Sequence, residues 1–404
     1  LLSGGGSEDK PLYIIAEALH QTRFEDSTLS FSINGAHHVI AGLVFTTPHK
    51  TVFQVNAPDN RFACNKLSDG HQPFIITNHR GLASRTEVDN NIFAGNRTKG
   101  IVFYRCDPMR PDCTENSRGI HVHHNSFLDG VIPGSEEGDH EAIVMGSGYA
   151  PKPGARTYVD NNMDMVVENN LFDGWKGYPG EDELITVKSS RNIIRNNCVR
   201  NSQGMIFNIR SPADNNLVTG NWMEDNTKSG LPVAGHGNHV IFNYFSRPSS
   251  GGYALRLHQG DLWPEDHISQ PQQYAYKDAS YGLYAYNVFN NYHGLVQTYD
   301  LYNYGKRHIS APVGNVIKFN RLYTRHLSGS KQNPGYLNED GSWDEVAFRE
   351  RNLLIDNEVV KSALPRSACA NGDLFEGPGG ASIVVEGNRN LLIDTPIMAP
   401  SWWQ

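Results

Sequence analysis

Three acids, Glu181, Asp182 and Glu183, open the run "EDELITVKSS"; Lys188 follows in the same run, and Arg210 comes 22 residues after Lys188. On a strand Glu181 and Glu183 point to the same side. Two carboxylates brought together repel unless protons or a cation lie between them, and an all-oxygen pair suits calcium. The plainer reading is a solvated acidic turn after "GYPG". A pair of acids is also the equipment of an inverting glycoside hydrolase, in which they stand about 6.5–9.5 Å apart. Lys188 would have no role in that chemistry. It lies an odd number of residues from Glu183, so on a straight strand it would face the other way; a bend would return it to the same rim.

Weaker candidates follow. Arg256 and His258 in "YALRLHQGD" could line a groove and bind a carboxylate. Tyr299, Tyr302 and Tyr304 in "QTYDLYNYGKRH" could stack on sugars, with Arg307 and His308 adding charge. Each could equally be an ordinary exposed loop residue. "HVHHN" places His121 and His123 on one strand face at metal-like spacing, although roles in a turn or ladder are the simpler expectation.

The elements that must position these residues are visible as a repeat. The pattern Asn-x-apolar recurs at Asn91, Asn125, Asn170, Asn197, Asn221, Asn243, Asn287, Asn320 and Asn357. The central intervals are 27, 24 and 22 residues, and short β-branched runs precede each. Helical periodicity is poor. Such intervals suit one coil of a right-handed parallel β-helix, an all-β solenoid in which stacking makes the core continuous. A buried Asn in each turn would stack as a hydrogen-bonded ladder. A propeller blade needs about 40 regular residues, which these uneven intervals do not provide. Longer intervals, such as those holding 128–160 and 246–282, read as loop insertions that build a groove on one face. The spacing of 22 residues puts Arg210 above Lys188, about 4.8 Å away along the stack. The whole of 1–404 reads as one domain, with 365–404 a looser cap or tail.

The net charge of −8 with a pI near 6.1 argues against a general nucleic-acid binder. No apolar run is long enough to span a membrane. The first residues, "LLSGGGSEDK", lack the charged and apolar regions of an intact signal peptide and could be a trimmed start or a remnant of expression. Among the five cysteines, Cys106 and Cys113 in "RCDPMRPDC" could close a small disulfide loop, which would suit an oxidising compartment; free thiols are the alternative. Asn96-Arg97-Thr98 fits the glycosylation sequon, a match close to chance.

The block Glu181, Glu183, Lys188, Ser189, then Asn201-Ser202-Gln203-Gly204, Arg210, and Gly237 through Asn243-Tyr244-Phe245 resembles the core of polysaccharide lyase family 6, the family of alginate lyases and chondroitinase B. The resemblance covers roughly 30–325. It implies a secreted or periplasmic enzyme that cleaves an acidic, uronate-containing polysaccharide, alginate first and dermatan sulfate or another uronate polymer second, by β-elimination. By the same resemblance Lys188 is the base for the C5 proton, Arg210 assists at the leaving oxygen, and Ca2+ sits on Glu181 and Glu183. The third ligand expected of the family is displaced into "EGDHEAIVMG", where Asp139 is the candidate, with His140 or Glu141 possible. Val144 stands where the family has arginine, and Pro232 interrupts another segment, so substrate contacts there must differ. The distance from Gly204 to Arg210 is one residue longer than the family's; a bulge would keep Arg210 out of the core. A non-catalytic carbohydrate-binding β-helix is the remaining alternative.

Overall fold

The computed structural model describes residues 2–77, 81–106, 116–131, 140–146, 161–176, 183–210, 213–224, 230–247, 252–262, 278–299, 307–324, 336–337, 343–344, 348 and 350–360. The chain winds as a right-handed parallel β-helix of three sheets, with 12, 12 and 10 strands among the described residues. Two short antiparallel pairs lie outside the coil, one of them joining Gly260–Leu262 to Arg307–Ser310. The expected all-β solenoid is therefore the observed architecture. The segment 365–404, read from the sequence as a cap or tail, lies outside the described residues, as do Cys113 and Cys369.

The short coil follows from its turns. The first twelve-stranded sheet runs from Leu12–Ile15 to Leu353–Ile355, the second from Arg23–Phe24 to Glu358–Val360. In every coil after the first a two-residue turn links them, as at Asn169-Asn170 between Val166–Glu168 and Leu171–Asp173. Its first residue is left-handed: Asn90, His124, Asn169, Asn196, Phe242, Tyr286 and Phe319 all have φ between 54° and 58°. That conformation costs a non-glycine residue about 1 kcal/mol, and coil after coil accepts the cost to reverse the chain in so little space. The second residue is the buried asparagine. Asn170 Nδ2 donates to Asn197 Oδ1 at 3.0 Å, and Asn197 Nδ2 to Asn221 Oδ1 at 2.9 Å. The same ladder runs from Asn65 through to Asn357 and includes every asparagine of the sequence repeat.

Inside, like stacks on like. Phe93, Phe127 and Phe172 hold equivalent positions in successive coils of the second twelve-stranded sheet. Their ring centroids are 4.9 and 4.7 Å apart. Similar shapes repeated at the coil spacing stack on one another, which is how a chain of uneven coil length keeps one continuous core. Of the cysteines, Cys64 is free, while Cys106 and Cys198 are each disulfide-bonded.

The longest interstrand stretches flank the ten-stranded sheet, Phe31–Ile33 to Gly294–Tyr299. Its strands Ile143–Gly146, Glu183–Lys188, Met205–Ile209 and Tyr253–His258 are entered or left by the long interstrand stretches, whereas after the first coil the other two sheets meet in two-residue turns.

Candidate functional site

Four consecutive strands of the ten-stranded sheet share a six-residue pattern: Lys99–Tyr104 "KGIVFY", Glu141–Gly146 "EAIVMG", Glu183–Lys188 "ELITVK" and Met205–Arg210 "MIFNIR". Ile101 pairs with Ile143, Ile143 with Ile185, and Ile185 with Phe207, so the patterns align residue for residue. The second, third and fifth positions enter the core, as Leu184, Ile185 and Val187 do. Two adjacent inward residues break the simple alternation of a strand. The break puts positions one, four and six on the outer face together. Glu183 and Lys188, an odd number of residues apart, thereby meet on one rim. Ile206 and Phe207 are likewise both in the core, so Arg210 emerges outward despite the extra residue after Gly204.

The outer face then reads as three columns. In the first, Lys99, Glu141 and Glu183 follow one another along the stack. In the last, Gly146, Lys188 and Arg210 do the same, Arg210 donating its backbone N–H to Val187 O at 2.9 Å. Gly146 has a φ of 98°, and a Cβ there would lie 2.6 Å from the Lys188 carbonyl oxygen, so no larger residue fits beneath Lys188.

The columns lock through charge. Lys188 Nζ lies 3.9 Å from Glu141 Oε1, and Lys99 Nζ lies 4.0 Å from Glu141 Oε2. Thr186 Oγ1 donates to Glu141 Oε1 at 3.4 Å. Arg210 NH1 lies 3.9 Å from Glu183 Oε1, which also accepts from Asn208 Nδ2. Both carboxylates are buried, whereas the Lys188 side chain keeps 15% of its surface exposed, enough to meet a substrate. Burial pushes the Lys188 ammonium below its ordinary range; Arg210 and Lys99 push the same way, against the opposing pull of Glu141 and Glu183.

Glu183 Oε2 is buried with no hydrogen-bond partner among the described residues. A bare carboxylate oxygen in such a place fits a hard cation. Glu141 stands in register with Glu183 one coil earlier, but its charge is already shared between two lysines. Glu181 and Asp139, the other expected ligands, lie outside the described residues. His140 is buried and its backbone oxygen accepts from Trp175 Nε1 at 2.7 Å.

Of the weaker candidates, Arg256 is half-buried and pairs in register with Pro232 and Gln297. It thus lies on the outer face of the sheet, two coils beyond Asn208. His258 is buried, at the strand position paired with Tyr299, which continues the column of Lys188 and Arg210. Tyr299 closes the strand Gly294–Tyr299, and Arg307 and His308 lie in Arg307–Ser310. Tyr302 and Tyr304 fall outside the described residues. Val144, in the arginine position of the resemblance, is outward but buried.

Lys99, Thr186 and Asn208 were not singled out by the sequence reading, and Glu141 only as an alternative. The signal was present in the recurring six-residue pattern, but it becomes legible only once the coils are set in register.

Comparison with known proteins agrees with this architecture. The family profile of NosD, described as a periplasmic copper-binding protein, matches residues 149–294. No curated protein sequence matches the chain. Among solved structures, a family 6 polysaccharide lyase from Pseudopedobacter saltans is 17% identical and superposes with a TM-score of 0.63 over 90% of this chain and 88% of that one. A family 6 alginate lyase in complex with a trisaccharide is 16% identical, with a TM-score of 0.60 over 94% of this chain and 81% of that one. A mannuronic acid-specific family 6 lyase from human gut microbiota is also 16% identical, with a TM-score of 0.53 over 89% and 72%. At these identities the likeness establishes a shared β-helical fold, and the chain resembles family 6 polysaccharide lyases.

Proposed function

We propose that the protein is a polysaccharide lyase that cleaves a uronate-containing polymer, alginate foremost, by β-elimination. The observation that carries this reading is Lys188: a partly exposed amine with its pKa lowered, set beside Arg210 of the next coil and over two buried carboxylates. The fold shared with family 6 lyases supports it.

The chemistry follows from the arrangement. The C5 proton of a uronate is acidic only when the charge of its carboxylate is neutralised. Neutral Lys188 takes that proton, the C5 electron pair forms a double bond to C4, and the C4–O bond breaks. Arg210, in the same column, directs an N–H at the departing glycosidic oxygen. Lys99 and Arg210 add positive potential where the enolate charge develops, and one preorganised contact of that kind contributes about 3–4 kcal/mol. Glu183, with Glu181 and Asp139, would hold Ca2+, which when bound supplies further neutralisation of the substrate carboxylate. Glu141 holds Lys188 in place between the columns. A secreted or periplasmic site of action suits both the disulfide-bonded cysteines and an extracellular polymer.

The test is ultraviolet absorbance of the unsaturated product across poly-mannuronate, poly-guluronate, mixed alginate, dermatan sulfate and polygalacturonate. A rise on an alginate block, lost in Lys188→Ala, is the expected result. New reducing ends without absorbance would make the protein a hydrolase. A flat trace on every polymer with folded protein would sink the enzymatic reading.

A further inference from the structure

The outer face of the first twelve-stranded sheet carries a second cluster, away from the ten-stranded sheet. Val88, Val122 and Val167 enter the core, which turns their neighbours outward. Glu87 pairs in register with His121, and Asp89 with His123. In the next coil His123 pairs with Glu168, and Glu168 in turn with Arg195. The sheet thus sets two imidazoles from one strand between carboxylates of the strands on either side.

The distances are those of a ligand set. One donor atom each from Glu87, His121 and His123 lie within 4.8 Å of one another. His123 Nε2 is 3.0 Å from Glu87 Oε1, and His121 Nε2 is 2.8 Å from Glu168 Oε1. The two imidazole centroids are 4.0 Å apart. The surroundings hold these groups in place. Arg61 Nε and NH2 bind Asp89 at 2.8 Å each, and Arg195 pairs with Glu168. His123 Nδ1 lies 2.8 Å from His124 Nδ1. His124 occupies the left-handed turn position that precedes ladder Asn125, which fixes its backbone.

We propose that Glu87, His121 and His123 form a binding site for a divalent transition-metal ion of the zinc class, with Glu168 as a fourth donor. Two imidazole nitrogens and a carboxylate oxygen suit zinc and its neighbours and do not suit calcium. Charge agrees. With the histidines neutral, three carboxylates (Glu87, Asp89, Glu168) face two guanidiniums (Arg61, Arg195), which leaves one negative charge for a cation to meet. His124 completes the site as a positioning residue: when His123 Nε2 binds metal, its Nδ1–H donates to His124 Nδ1 and fixes the tautomer. The ligands come from three successive coils, so the bound ion would tie them together. The set lies outside residues 149–294 apart from Glu168, and the inference does not depend on the lyase reading.

The test uses the full chain without an affinity tag, stripped by chelator and then titrated with Zn2+ alone by calorimetry, with Co2+ absorbance as a second probe. One ion per chain should bind. His121→Ala and His123→Ala should each weaken binding by more than about tenfold, since even supporting partners of metal ligands cost 10–100-fold. The milder His121→Gln and His123→Gln should do the same, which covers variants that fail to fold. Zn2+ should raise the Tm of the parent chain and not of these variants. Glu183→Gln should leave the event unchanged, which separates this site from the candidate active site. Absence of binding, or binding that survives loss of both histidines, would overturn the proposal and leave two imidazole–carboxylate pairs.

Discussion

At the scale of single residues, Lys188 shows how position sets chemistry. An exposed lysine is protonated at neutral pH and useless as a base. Here burial, Arg210 and Lys99 all disfavour the charged form. A base works only when deprotonated, so turnover should rise with pH through the lowered Lys188 pKa and level off below the ordinary lysine range of about 10.4. Lys99→Met removes a positive neighbour and leaves Glu141 to Lys188 alone. Both changes favour the ammonium, so the rising limb of the pH–rate profile should move to higher pH. A limb that stays put, or moves down, would remove Lys188 as the titrating base. Glu183→Gln tests the other half of the site. It should weaken any Ca2+ requirement, read as the chelator sensitivity of turnover, because the bare Oε2 becomes an amide.

At the scale of elements, the asparagine ladder makes the turns. Asn197 Nδ2 donates to Asn221 Oδ1, Val167 O and Arg195 O, and its Oδ1 accepts from the backbone N–H and side chain of Asn170. Asn197→Ala strips partners from several buried groups at once. A loss of about 3 kcal/mol in urea unfolding is expected, because each unsatisfied buried group costs about 1–3 kcal/mol and some will find water. Asn357→Ala, in the partly buried last rung, should cost well under half as much. Equal losses would mean that the ladder contributes through something other than burial.

At the scale of the whole molecule, a solenoid is stabilised by contacts between neighbouring coils. Phe127 stacks between Phe93 and Phe172 and is fully buried, whereas Phe24 lies in the first coil and is half-buried. Phe127→Ala should cost about 3–5 kcal/mol, and Phe24→Ala much less, in the same urea measurement. Should the two be equal, the coils would not be energetically graded from centre to end. Function follows the same geometry. After the first coil, two-residue turns join two of the sheets, so the long interstrand stretches fall beside the ten-stranded sheet.

The sequence by itself determined the solenoid, because the repeated asparagine and the core residue beside it must recur wherever a coil closes. It also determined that Lys188 and Arg210 stack, since their separation is one coil. What it left open was parity. Counting along a straight strand puts Glu183 and Lys188 on opposite faces, and the longer spacing before Arg210 threatened to bury that side chain. Only the tertiary structure decided these points: Leu184 with Ile185, and Ile206 with Phe207, turn inward together and shift the face by one residue. The same holds for Lys99 and Glu141, which lie 84 and 42 residues before Glu183 and become its neighbours only through coil-to-coil register. The histidine pair was visible in "HVHHN", but its carboxylates were not. Glu87 comes from the preceding coil and Glu168 from the following one, and a linear sequence carries no signal of which coils will stack until their lengths, insertions included, have been closed by the turns.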